Sequence, residues 1–189
     1  MPTPPPPPSP APAPVPRPPE AAEGRVVLVS ACLLGVACRY DGRAKPLEGL
    51  ARATPGLTLV PICPEELGAL RTPRPRAELR DGDGRDVLDG RASVVDEHGR
   101  DVTAPFLKGA ARAASIARAV GATEAWLTER SPSCGVSATH ADGALVAGPG
   151  VTAAALARAG LVVRGLDASD PIRSIARATA PPSVRTIRP

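Results

Sequence analysis

Aromatic residues are nearly missing from this chain. Tyr40, Phe106 and Trp126 are the only three in 189 residues, so a core has to be assembled from Ala, Val, Leu and Ile. Such a core suits parallel strands covered by alanine-rich helices. Lysine is as scarce: Lys45 and Lys108 stand alone among 23 basic side chains, and the net charge is only +4. The arginines are scattered, and no basic stripe with interleaved aromatics is visible, so a nucleic-acid partner is not expected. No apolar run approaches the length of a membrane-spanning helix. No basic start followed by an apolar stretch marks a secretory signal. The expectation is a cytoplasmic protein with reduced thiols and no membrane partner. Local cysteine pairs of the CxxC type are also missing, which disfavours a closed structural zinc site.

What is present divides the chain in three. Residues 1–23 are almost entirely Pro and Ala, which predicts an extended or disordered tail, either inert or a docking ligand. Residues 24–166 carry the patterns of one α/β domain. Residues 167–189 are polar with scattered prolines and predict a poorly ordered tail, with at most a short helix near 171–178.

Within the domain, Val26-Val27-Leu28-Val29-Ser30-Ala31, the run 57–62 and Glu124-Ala125-Trp126-Leu127-Thr128 each read as a strand buried on both faces. Leu161-Val162-Val163 reads as a last strand. A short helix is predicted over 46–53. A long one is predicted over 104–120, with an apolar stripe through Phe106, Leu107, Ala110, Ala114 and Ala117 and a stop at Gly121. Another opens at Val151. Two short strands near 77–80 and 92–95 predict a small antiparallel insert, and the stretch up to Gly150 is polar and Gly-rich. The order predicts a mostly parallel sheet with flanking helices.

In such a sheet, ligands sit outside the carboxyl ends of the strands. Cys32, Cys63 and Cys134 each follow the end of a predicted strand, so neighbouring parallel strands would bring them to one edge. Three dispersed thiols fit an iron–sulfur cluster with one iron left open, a zinc ion, or nucleophilic or purely structural cysteines. Cys38 is either a fourth ligand or a small buried residue. Glu65, two residues after Cys63, puts a carboxylate beside this site, suited to activating water. Ser131 offers a hydroxyl near Cys134, although Ser131 and Ser133 also suit a simple turn. Arg74 and Arg76, held between prolines, are able to meet an anion. His98 and His140 read as solvated loop residues. Gly148-Pro149-Gly150 ahead of a helix offers either an anion-binding turn or a plain helix start.

Taken in order, Val29-Ser30-Ala31-Cys32-Leu33-Leu34-Gly35, Cys38-Arg39-Tyr40-Asp41-Gly42, Cys63-Pro64-Glu65, Pro73-Arg74-Pro75, Asp101-Val102-Thr103, Ser131-Pro132-Ser133-Cys134-Gly135 and Gly150-Val151-Thr152-Ala153-Ala154 resemble the DUF523 family, associated with thiouracil desulfidases. The resemblance implies a Rossmann-like α/β domain and a [4Fe–4S] cluster held by Cys32, Cys63 and Cys134, with Glu65 and Ser131 as the catalytic pair. Arg74, Ser133 and Gly135 would contact the substrate. The implied reaction removes sulfur from thiolated uracil, giving uracil and hydrosulfide, with an open cluster iron taking the substrate sulfur. The stretch Thr139-His140-Ala141-Asp142-Gly143 and Ala69 depart from the family pattern, which bears on substrate identity rather than on the ligands. Larger relatives linked to thiouridine in tRNA carry an extra domain, so a free base, nucleoside or nucleotide is the expected substrate. The rival readings are a non-catalytic metal- or cluster-binding protein and a tRNA thiouridine desulfidase.

Overall fold

The computed structural model describes residues 24–180. The tail expected over 1–23, like residues 181–189, lies outside the described residues. Four strands form a wholly parallel sheet: β1 (Val26–Ser30), β2 (Thr58–Ile62), β5 (Glu124–Thr128) and β8 (Val162–Leu166), in the order β2-β1-β5-β8. The inner strand β5 is buried at every residue. Side chains alternate across the sheet. Val27, Val29 and Trp126 join one core, while Leu28, Ala125 and Leu127 join the other.

The first core is covered by α1 (Leu50–Ala53) and α6 (Pro171–Thr179), through Leu50 and Ala178. The second is covered by α4 (Thr103–Val120) and α5 (Val151–Arg158), whose small residues Ala113, Ala117 and Ala153 let the helices approach closely. The predicted mostly parallel α/β architecture is therefore the one found.

Several boundaries differ from expectation for identifiable reasons. The predicted helix over 46–53 shrinks to α1, because Gly49 takes a left-handed φ of 81° at its start. The insert is not a small antiparallel piece. It is a second four-stranded sheet, β4-β3-β6-β7, built from β3 (Ala77–Arg80), β4 (Ser93–Asp96), β6 (Ala138–Ala141) and β7 (Ala144–Ala147). Its β3–β6 contact is parallel. The polar stretch before Gly150 thus contains a hairpin, turned at Asp142 (φ 49°) and Gly143 (φ 75°), both with the positive φ that a two-residue type I′ turn demands. A five-residue helix, α3 (Gly84–Leu88), starts at Asp83 with a reciprocal capping box to Asp86.

The C-terminal segment is also folded further than expected. Asp170 caps α6 by accepting from Arg173 N–H at 3.2 Å, and Ala178 is fully buried in the core that holds Trp126 and Leu166. The poorly ordered tail expected from 167 is therefore corrected over 167–180. No helix among the described residues is long and apolar enough to cross a membrane.

The stripe of α4 is rotated from the predicted one. Its fully buried positions are Phe106, Gly109, Ala110, Ala113 and Ala117. The cause is α2 (Pro64–Leu67), the short helix that follows β2 and crosses α4 backbone to backbone. A Cβ on Gly109 would stand 2.0 Å from the Pro64 carbonyl oxygen, and one on Gly68 would stand 2.2 Å from that of Pro105. Helix propensity alone favours Gly109→Ala by roughly 1 kcal/mol. The carbonyl contact reverses that sign, because overpacking against backbone costs about 1–3 kcal/mol and nothing flexible is there to yield. Gly109→Ala is expected to lower the thermal midpoint by roughly 5 °C, and a midpoint equal to or above the wild type would refute this packing account.

Candidate metal centre

The carboxyl ends of β1, β2 and β5 open into one cavity of about 460 Å³, and all four cysteines line it. None is in a disulfide. Cys32 lies in the 3-10 turn Ala31–Leu34, directly after β1, where Gly35 closes the turn with φ 92°. Its carbonyl accepts from Lys45 N–H at 3.0 Å. Cys63 follows β2 and occupies the N-cap of α2, with Pro64 at the first helical position.

Cys134 comes six residues after β5 and is carried back by a folded loop. Ser131 Oγ accepts from the N–H groups of Ser133 (3.2 Å) and Cys134 (3.1 Å). Glu129 accepts from Val136 N–H at 3.0 Å, Ser137 N–H at 3.1 Å and Ser137 Oγ at 2.9 Å. The free N–H groups at the start of α5 complete the anchorage. Val151 donates to Pro132 O at 2.9 Å, and Thr152 to Ser133 O at 2.9 Å. The Gly148-Pro149-Gly150 segment is therefore a protein–protein contact within the fold rather than an anion site. Gly150 lets the Cys134 loop lie against it, since a Cβ there would meet Pro132 O and Ser133 O at 2.6 Å.

The thiols of Cys38, Cys63 and Cys134 are pushed up by their surroundings. Burial pushes the Cys134 thiol up to about 12. Its hydrogen bond with Cys32, aided by burial, pushes Cys38 up to about 11. Cys63 is pushed up by its hydrogen bond with Cys38 and then by burial. Thiols packed this closely give up their protons when a cation shares the charge. Four soft donors at one cavity are chemically suited to iron–sulfur or zinc-type binding.

The other expected residues separate into two groups. Glu65 and Ser131 line the same cavity as the cysteines. Arg74 lines it too, but its guanidinium is engaged with the protein. Nε donates to Glu65 Oε2 at 2.6 Å, Nη1 to Thr72 Oγ1 at 2.9 Å and Nη2 to Cys38 O at 3.0 Å. This largely buried ion pair holds the Glu65 carboxylate, and the Arg74 guanidinium is occupied by protein partners. Ser133 and Gly135 do not reach the cavity lining. Ser133 is buried with its hydroxyl on Thr152 Oγ1 at 2.9 Å. Gly135 is where the loop meets its own backbone, for a Cβ would stand 2.3 Å from Ala138 O. Both shape the Cys134 loop.

His98 lies on the β4 turn, as expected, with its N–H on Asp96 Oδ1 at 2.9 Å. His140 instead sits on β6 at the cavity rim, 3.4 Å from Arg76 Nη2, and burial together with the Arg76 charge holds its imidazole below the usual range. Two further rim cations are neutralised. Asp167 takes Lys45 Nζ at 3.1 Å and also pairs with Arg130. Despite the opposing effect of burial, hydrogen bonds from Ser169 and Lys45 hold the Asp167 carboxyl down to about 2.

Two residues escaped the sequence reading. Ser30, at the end of β1, accepts from Thr128 N–H at 3.0 Å and also hydrogen-bonds Cys134. Its signal is a lone hydroxyl closing an apolar strand run. Glu129 had no signal in its own motif. Its requirement for space is recorded at Gly165, where a Cβ would stand 1.8 Å from Glu129 Oε1.

Comparison with known proteins agrees with this geometry. Residues 27–165 match the family described as 2-thiouracil desulfurase. An uncharacterized protein of Bacillus subtilis (strain 168), YbbK, is 41% identical over 138 residues, covering 71% of this chain and 91% of its own length. A solved structure described as the [4Fe-4S]-dependent thiouracil desulfidase TudS matches with a TM-score of 0.64 and 39% identity, over 82% of this chain and 97% of that one. With most of its described domain inside that match, the chain belongs to the 2-thiouracil desulfurase family.

Proposed function

We propose that this protein is an iron–sulfur-dependent desulfidase that converts thiolated uracil to uracil and hydrosulfide. The observation that carries the proposal is the meeting of Cys32, Cys63 and Cys134 with Glu65 and Ser131 around one cavity at the carboxyl edge of a parallel sheet. Cys32, Cys63 and Cys134 would hold a [4Fe–4S] cluster, one from the end of each of three neighbouring strands. When bound, the cluster supplies a soft Lewis-acid iron suited to a thiocarbonyl sulfur.

The chain's own residues supply the proton chemistry. Glu65 takes a proton from the water that attacks the thiocarbonyl carbon. Arg74 fixes one carboxylate oxygen through its 2.6 Å bond, leaving the other oxygen for water. Ser131 Oγ already accepts two backbone N–H groups, so its own proton is available to pass toward the ring of the base. Half-buried walls and a cavity of about 460 Å³ suit a nucleobase with or without its sugar.

Recognition beyond the base falls to Arg76. Lys45 and Arg130 are paired with Asp167, Arg39 with Asp41 and Arg74 with Glu65. Among the described residues, the Arg76 guanidinium has only the ring of His140 as partner. A nucleotide phosphate at the rim would meet it.

Anaerobic reconstitution with iron and sulfide, followed by hydrosulfide release from 2-thiouracil, 4-thiouracil and their nucleotides, tests the proposal. A protein that stays colourless and iron-free would sink it. Glu65→Gln is expected to keep the iron content and lose about a hundredfold or more in kcat, and full activity in that variant would remove Glu65 from the chemistry. Arg76→Ala should raise KM for a thiolated nucleotide by about tenfold, the worth of one charge-assisted hydrogen bond, and leave KM for the free base unchanged. Equal effects on both substrates would show that Arg76 does not read phosphate.

A further inference from the structure

Cys38 has no part in the reading above, yet it is buried and lines the cavity together with the other three cysteines. Its Sγ, the Sγ of Cys63 and a carboxylate oxygen of Glu66 all lie within 4.8 Å of one another. Among the described residues, this is the tight donor group, and the three proposed cluster ligands are not gathered in that way. The contrast has a physical basis. Ligands of a four-iron cube sit on different irons and must spread apart. Donors to a single zinc-sized ion, at about 2.0–2.3 Å from the metal, stand close to one another.

The group is also held from outside. Glu66 Oε1 accepts from Thr72 Oγ1 at 2.7 Å, an outer partner of the kind that orients ligating carboxylates. Cys63 Sγ donates to Cys38 O at 3.6 Å. The same carbonyl receives Arg74 Nη2 at 3.0 Å, which pins the loop bearing Cys38.

We propose that the chain without its cluster binds one thiophilic divalent cation of the zinc class through Cys38, Cys63 and Glu66, with the fourth position left to solvent. Each thiol releases its proton as the metal enters. Cys63 serves both metal states, so the two are mutually exclusive, and an ion in this site blocks cluster assembly. Cys38 and Glu66 belong to the single-ion state alone, and Cys32 and Cys134 belong to the cluster alone. This partition makes the inference separable from the desulfidase reading, on which it rests only for the identity of the shared ligand.

The test uses the full chain, reduced, metal-free and anaerobic, titrated with Co²⁺ and then Zn²⁺. The expected result is one equivalent of Co²⁺ with strong thiolate-to-cobalt charge transfer and tetrahedral ligand-field bands, bleached by Zn²⁺. Cys38→Ala and Glu66→Gln should each weaken Co²⁺ by about tenfold or more. Glu66 is exposed, so its variant reads the site without threatening the fold. Cys134→Ala should leave Co²⁺ affinity unchanged while abolishing iron uptake, and Glu66→Gln should leave iron uptake unchanged. Zn²⁺ added before reconstitution should suppress iron loading in the wild type but not in Cys38→Ala. An octahedral Co²⁺ spectrum lacking charge transfer would overturn the proposal. So would loss of Co²⁺ binding in Cys134→Ala, or undiminished binding in both Cys38→Ala and Glu66→Gln. Failure of the desulfidase reading alone would appear differently, as a normal Co²⁺ titration in a chain that never takes up iron.

Discussion

The return of the Cys134 loop to the sheet edge is the constraint on which the centre depends. Cys32 and Cys63 follow their strands immediately, so parallel pairing of β1 with β2 delivers them with no further device. Cys134 is six residues beyond β5, far enough to lie elsewhere. It comes back because carbonyls of Pro132 and Ser133 accept the unpaired N–H groups at the start of α5. Helix starts leave such donors without intrahelical partners, and here the loop satisfies them. A phosphate or other anion would have competed for the same groups, so the α5 start and the Cys134 loop satisfy one another at the expense of an anion site. Gly150 and Gly135 are glycine because the backbones touch there.

A second coupling joins the two sheets at Glu65. The carboxylate sits in the first turn of α2, which lies on α4 through the reciprocal contacts of Gly68 and Gly109. Its partner Arg74 comes from the approach to β3, in the second sheet. The buried 2.6 Å ion pair therefore ties the Glu65 carboxylate to both halves of the domain. Breaking it from either side would leave a buried charge without a partner, an outcome more costly than the pair is stabilising. The same arginine reaches the Cys38 carbonyl, so the positions of Glu65 and of the fourth thiol are not independent.

Much of this was legible in the sequence. The apolar runs at β1 and β2 ended close to Cys32 and Cys63 and that at β5 shortly before Cys134, and a parallel sheet with its ligand edge follows from that pattern. What escaped was short or polar. The β6–β7 hairpin carried its signal in Asp142-Gly143, a favoured two-residue turn, but its strands are four residues of Ala, Thr and His or Leu and Val, with little β-branched weight. The capping box of α3 uses Asp86 where glutamate is commoner, so it read as another turn. Helix α6 falls where a short helix was expected, but its burial of Ser174 and Ala178 and the packing of Ile175 on the core were not foreseen. Ser133 and Gly135 stand beside Cys134 in the chain, yet proximity in sequence there serves the shape of the loop. Arg74 read as an anion receptor because its partner Glu65 lies nine residues earlier, a separation with no helical or strand period to signal the pair.

The electrostatics then follow from placement. Thiols at the floor are pushed up by burial and by one another, so a bound cation is what turns them into thiolates. The wall holds a paired carboxylate, and the rim cations are mostly neutralised, two of them by Asp167, whose carboxyl is held down to about 2 and stays charged at any physiological pH. A cavity arranged this way attracts a soft cation at its floor without presenting a strong net field at its mouth. Among the described residues that line it, Arg76 alone keeps a guanidinium whose side-chain partner is an imidazole and not a carboxylate.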